Sequence, residues 1–119
     1  MIEDDITDIS EIKNIEKSVI LSSTVRMTIM LLLRRHKEVK LSDLRKLIKE
    51  TSGNLDYHIK QLEKENLVLR KPGFFNKRIL NVLQITPEGK KRLNNDITLL
   101  QSYFNKLTKE NGENIDNSD

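Results

Sequence analysis

The chain contains no cysteine. That removes disulfides, zinc ribbons, thiol catalysis and thiol redox sensing together. It also fits a reducing compartment. Histidine is almost as scarce: only His36 and His58 occur, too few for a histidine metal site. No metal or other cofactor is therefore expected. No stretch approaches the roughly 20 apolar residues that span a bilayer. The longest apolar run is Ile29 to Leu33. The opening Ile2-Glu3-Asp4-Asp5 has neither the positive charge nor the apolar stretch of a signal peptide. These absences predict a cytoplasmic chain with no membrane partner. A glycine-rich phosphate loop is missing, and so is any Ser/His/acid set in a workable order. No catalytic residue is assigned, and the chain is not expected to be an enzyme.

What is present is charge, unevenly spread. The 119 residues carry a net charge of +3. Residues 1–17 have a net charge of −4 and residues 106–119 of −2, which leaves +9 on residues 18–105. A basic middle between acidic ends is a footprint for nucleic acid, or simply a well-solvated lysine-rich surface. The length suits one domain with additions at its ends.

Hydrophobic spacing predicts the elements. Residues 8–21 form an amphipathic helix, with Ile9, Ile12, Ile15 and Val19 three or four apart. Ser22-Ser23-Thr24 supplies cap chemistry for a second helix, Val25 to Arg35, apolar almost all round and so expected to be buried. Residues 38–41 are a short extended piece. Ser42 is expected to cap a third helix, with Leu44, Leu47 and Ile48 inward. After the turn Thr51-Ser52-Gly53, a fourth helix runs to about Glu65 with Leu55, Ile59 and Leu62 inward. Residues 67–71 and 79–85 are antiparallel strands. Pro72-Gly73 is expected to break the first of them, making residues 72–78 a hairpin tip that holds Phe74, Phe75, Lys77 and Arg78. Thr86-Pro87-Glu88 starts a last helix, reaching about Thr108. The order is that of a winged helix-turn-helix: mainly α, with a small β-hairpin and extra helices at both ends. The expected divisions are 1–22, an N-terminal amphipathic helix for dimerisation; 23–90, a winged-helix DNA-binding domain; 91–108, a C-terminal dimerisation helix; and 109–119, a disordered acidic tail.

Such a domain lays its second turn-linked helix in the major groove of double-stranded DNA. On residues 52–65, Leu55, Ile59 and Leu62 cluster within about 60° of the wheel. The opposite side carries Asn54, Tyr57, Lys60, Gln61 and Lys64. Asn and Gln can pair with adenine, and Lys can donate to guanine or phosphate. Asp56 lies on the flank, to accept from cytosine or, as favoured here, to bond locally. His58 sits beside the apolar stripe and is expected to be packed and hydrogen-bonded. Across the wing, Lys71, Lys77 and Arg78 are expected to touch the minor groove or backbone while one of the two Phe packs. Ser52, Ser42 and Arg26 are further phosphate-contact candidates.

The last helix carries Leu93, Ile97, Leu100, Phe104 and Leu107 at spacings of 4, 3, 4 and 3, an a/d seam. With Ile12, Ile15 and Val19 of the first helix, these form two stripes that a compact winged domain leaves uncovered. Packing across a two-fold axis makes a homodimer. Packing within the chain makes a monomer. The dimer is favoured.

Four segments then resemble archaeal and bacterial winged-helix regulators of the MarR/ArsR-like group. Residues 21–27 (Leu-Ser-Ser-Thr-Val-Arg-Met) look like the start of their first core helix. Leu41-Ser42-Asp43-Leu44 resembles the start of the second. Residues 53–63, from Gly53-Asn54-Leu55 through His58 to Leu62-Glu63, are similar to the recognition helix, and Ile85-Thr86-Pro87-Glu88-Gly89 to the exit from the wing. The resemblance covers about residues 20–93. It implies a DNA-binding transcriptional regulator, usually dimeric, with Asn54, Tyr57, Lys60 and Gln61 facing the groove. It names no small-molecule effector. One departure stands out: where relatives carry a run of Arg with Pro and Thr, this wing reads Lys77-Arg78-Ile79-Leu80-Asn81. Fewer charges weaken the case for strong wing contact.

Three functions compete at this point: a sequence-specific regulator, an architectural chromatin-like DNA binder of low specificity, and a protein-interaction winged helix. The mixed Asn, Gln and Tyr face favours the first, since an architectural face needs only Lys and Arg.

Overall fold

A computed structural model describes residues 9–110. Along them run α1 (Ile9–Lys17), α2 (Thr24–His36), β1 (Glu38–Lys40), α3 (Leu41–Leu47), α4 (Ser52–Lys64), β2 (Val68–Phe75), β3 (Arg78–Ile85) and α5 (Pro87–Glu110). The strands form one antiparallel sheet in the order β1-β3-β2. The extended piece before α3 thus pairs with the returning strand of the hairpin. The architecture is the expected winged helix-turn-helix. No helix among the described residues is long and apolar enough to cross a membrane.

Local chemistry starts most of the helices. The Ser23 hydroxyl accepts from the Arg26 amide at the head of α2, and Thr51 does the same for Asn54 at the head of α4. At the head of α5, Thr86 Oγ1 accepts the Gly89 N–H at 2.8 Å and donates to the carbonyl of Asn66 at 2.7 Å. One hydroxyl therefore caps the helix and ties it to the turn before β2. The chain passes so close here that a Cβ on Gly89 would lie 2.1 Å from the Leu67 carbonyl oxygen. Only glycine fits.

The core gathers Ile29, Met30 and Leu33 of α2, Leu41 and Leu44 of α3, Leu55, Ile59 and Leu62 of α4, and Leu83 and Ile85 of β3. Several expectations need correction. Ser42 does not cap α3: the helix starts one residue earlier, and its cap position is Lys40, with no side-chain bond. That shift selects Leu41, Leu44 and Ile48 for the core and leaves Leu47, about 100° round the helix, exposed. The second helix is not buried all round either, since Leu31 remains exposed. Pro72-Gly73 does not end β2, which continues to Phe75. Because β2 lies at the edge of the sheet, a proline can sit there with its missing N–H directed away from the ladder. The turn is the two residues Asn76 and Lys77, both at positive φ (50° and 63°), a tight hairpin turn.

The ends also differ in detail. α1 stops at Lys17, where the Ser18 hydroxyl accepts from the Ile20 and Leu21 amides and donates to Asp96 of α5 at 2.8 Å. That turn drops Ile20 into the core with no exposure, a residue the helical spacing did not single out. α5 runs through Lys109 and Glu110, two residues assigned to the tail. The rest of the tail, 111–119, and residues 1–8 lie outside the described residues.

Candidate nucleic-acid interface

Helix α4 buries Leu55, Ile59 and Leu62, each no more than 2% exposed. The helical period then fixes what looks outward. Ser52, Asn54, Tyr57, Lys60 and Lys64 are exposed, while Gln61 is half-buried. The outward row contains no acid. Two acids lie instead on one flank: Asp56 and Glu63, seven residues apart, stand about 20° from each other round the axis.

Both flanks are held by arginine. On one side, Arg70 of β2 reaches Asp56 at 2.7 Å and grips both carboxylate oxygens of Glu63 at 3.2 Å. Lys60 adds a second contact to Asp56 at 3.1 Å. These two cations, Arg70 first, hold the Asp56 carboxyl below its usual range. Desolvation works against the Arg70 charge, but its two carboxylates outweigh it and raise the guanidinium above its usual value. On the other side, Arg26 of α2 donates through Nη1 to His58 Nδ1 at 2.8 Å. Its Nε donates to the Val19 carbonyl at 2.6 Å and its Nη2 to the Ser22 hydroxyl at 3.2 Å. Arginine has no lone pair to give, so His58 Nδ1 is the acceptor and the ring is neutral. Burial chiefly, and the Arg26 charge next, push the His58 pKa down, against an opposing pull from Glu50. The expectation of a packed, hydrogen-bonded His58 describes it well. Arg26 as a phosphate contact does not: its donors turn inward and fasten the α1–α2 turn to α4.

The predicted base-reading residues are not all free-standing. Asn54 donates from Nδ2 to the carboxylate of Glu50, four residues earlier and before the helix begins. Lys60 shares Asp56 with Arg70. Ser52 begins α4, but Thr51 caps it, and Ser42 is exposed in the first turn of α3.

On the wing, Lys77 and Arg78 stand exposed at the turn. Lys71 lies elsewhere: strand alternation puts it on the sheet face opposite Arg70, where it pairs with Glu38 of β1 at 3.4 Å. It does not join the α4 residues. Of the two phenylalanines, Phe75 packs. Its ring lies against Gly73, where a Cβ would come within 2.8 Å, and the Lys40 ammonium sits 4.9 Å from the ring centre. Phe74 remains 71% exposed.

The residues assigned to dimerisation divide. Leu93 is 1% exposed within its own chain's core, so it offers no surface. Val19 and Ile97 pack partly against that core. Helix α1 meets α5 within the chain through an ion pair between Glu11 and Lys106, and the turn after α1 meets it through Ser18–Asp96. Ile15 and Leu100 are half-buried, while Ile12 and Phe104 stay 43% and 48% exposed and Leu107 37%. Sequence spacing missed Arg70, because nothing in a strand's own pattern says which helix its side chains will reach. Asp56 and Glu63 at i and i+7 were the available signal that one flank of α4 needed a cation.

Residues 25–104 match the family described as winged helix DNA-binding domain. An uncharacterised protein of Methanocaldococcus jannaschii is 31% identical over 78 residues, covering 66% of this chain and 85% of its own. Among solved structures, a transcriptional regulator homologue from Pyrococcus horikoshii OT3 is 33% identical, with a TM-score of 0.74, over 82% of this chain and 97% of that one. A protein from Enterococcus faecalis V583 described as a transcriptional regulator of the MarR family shares the fold at 18% identity, with a TM-score of 0.62, over 87% and 91% of the two chains.

Proposed function

The chain belongs to the winged helix DNA-binding domain family, and from that premise we propose that it is a transcriptional regulator that binds double-stranded DNA sequence-specifically as a homodimer. One observation carries the reading. The outward row of α4 is polar and cationic, with Asn54, Tyr57, Lys60 and Lys64 exposed, while its two flanking acids are turned to Arg70. An anionic groove meets donors along that row, and the two acids flanking it are compensated by Arg70, while the Glu50 carboxylate stands before the helix and is bonded by Asn54. In this reading α4 enters the major groove and the wing, through Lys77 and Arg78, follows the minor groove or backbone. Exposed Ile12, Phe104 and Leu107 on the paired terminal helices supply an apolar surface for a second copy. The similarity to an archaeal transcriptional regulator homologue supports the regulatory role.

The half-burial of Gln61 and the hold of Glu50 on Asn54 favour a second reading, a less specific DNA binder that relies on lysines. Selection from a random duplex pool at about 150 mM salt separates the two. A two-fold symmetric motif with half-sites about 10 bp apart supports the dimeric regulator. Enrichment without a motif supports the architectural binder, and no binding rejects both.

A further inference from the structure

Phe74 and Ile79 are the most exposed large apolar side chains among the described residues, at 71% and 75%. They stand directly opposite each other in the β2–β3 ladder, so they share one face and form a single patch. Strand alternation places that patch. Phe74 lies four residues beyond Arg70 on the same face of β2, and Ile79 lies four before Leu83 on the same face of β3. Arg70 reaches α4 and Leu83 is in the core. The pair therefore looks out on the α4 side of the hairpin, about 13 Å further along the strand than Arg70. Neither belongs to the core. The neighbouring Phe75 alternates to the other face and packs. Exposed Lys77 stands in the turn that joins the two strands, and exposed Arg78, opposite Phe75 in the ladder, leaves from the other face of the same tip.

Resting on the DNA-binding reading above, we propose that this tip is an apolar wedge: Phe74 and Ile79 press together into the minor groove and bend the duplex. An apolar side chain inserted at a base step leaves water, and it offsets part of the unstacking it causes. The adjacent cations meet the phosphates on either side, and pyrimidine–purine steps yield most readily. A wing poor in charge thus contacts DNA by shape, and its contribution to specificity comes from deformability. The same face and the same charge complementarity that serve α4 select DNA as the occupant.

The test uses the full chain and the duplex it selects from a random pool at about 150 mM salt, trimmed to about 40 bp and labelled at its ends with a donor and acceptor fluorophore. The wild type is expected to shorten the end-to-end distance. Phe74→Ser with Ile79→Ser is expected to remove the shortening at saturating protein and to weaken binding about tenfold. The salt dependence of affinity should not change, because no charge is lost. Phe74→Leu with Ile79→Val keeps apolar bulk and should keep the bend. A duplex that stays straight with the wild type, or bends equally with the serine pair, overturns the wedge and leaves DNA binding standing. A serine pair that dissociates a wild-type dimer assigns the patch to a second copy and overturns the wedge as well. Failure of the wild type to select any duplex overturns both readings.

Discussion

The root and the tip of the hairpin are built on opposite terms. At the root, β2 and β3 are crowded by neighbours: Gly89 touches the Leu67 carbonyl, Thr86 bonds two ways, and Arg70 grips two acids of α4. At the tip, two residues at positive φ turn the chain, and Phe74, Lys77, Arg78 and Ile79 face solvent. The root fixes where α4 points; the tip carries chemistry the fold does not use. Side chains that a fold does not need, yet that are large and apolar, mark a surface kept for a partner.

The largest effect should come from the root. Gly89→Ala forces a methyl group onto a backbone oxygen that cannot move without the turn, and should cost about 2–4 kcal/mol. Denaturant unfolding measures it, and a loss under 1 kcal/mol would show that the close approach relaxes readily. Next comes Arg70→Met, which keeps the stem and removes the fork. It should cost about 1 kcal/mol of stability. It should also weaken DNA binding about tenfold, since Asp56 and Glu63 then face the phosphates uncompensated. Equal binding by the variant would mean that these acids lie away from DNA.

A smaller effect follows from the other anchor of α4. The folded pKa of His58 is pushed below its ordinary 6.5, chiefly by burial. The unfolded chain therefore takes the proton first. His58 contributes stability at neutral pH that is lost as the pH falls below 6.5 and through the lower folded value. His58→Gln can still accept from Arg26 but does not titrate there. Its melting temperature should fall less than the wild type's between about pH 7.5 and 5.5. Identical slopes would mean that the Arg26 contact does not depend on the charge of residue 58. The smallest effect belongs to the tip. Lys77 sits at φ 63°, where a side chain is strained and glycine is not. Lys77→Gly should stabilise the chain by about 0.5–1 kcal/mol while slightly weakening DNA binding through the lost charge. That opposite response of stability and affinity, measured by thermal melting and titration, would set the tip apart from the root.

Much of this was legible along the chain. Ser23 and Thr86 announce their helices because a cap bonds within three residues of itself. Leu55, Ile59 and Leu62 announce the buried side of α4 because the helical period is fixed. That one of Phe74 and Phe75 packs was expected, but which one is decided by the alternation of β2, which continues through both. Other features were misread for an equally physical reason. Pro72-Gly73 breaks a central strand but not an edge strand, and edge or centre is a property of the sheet. Leu93 belongs to a heptad seam by spacing and to the core by position.

The sequence by itself determined the elements, their order, the apolar side of α4 and the basic middle of the chain. These depend on caps, periods and charges that act within a few residues. Only the tertiary structure decided that Arg26 turns inward to His58, that Arg70 joins β2 to Asp56 and Glu63, and that Lys71 faces away from α4. A long, flexible cationic side chain has no preferred partner of its own. It bonds whichever acceptor the packed core brings within about 3 Å, and that acceptor is chosen by residues far away in the chain.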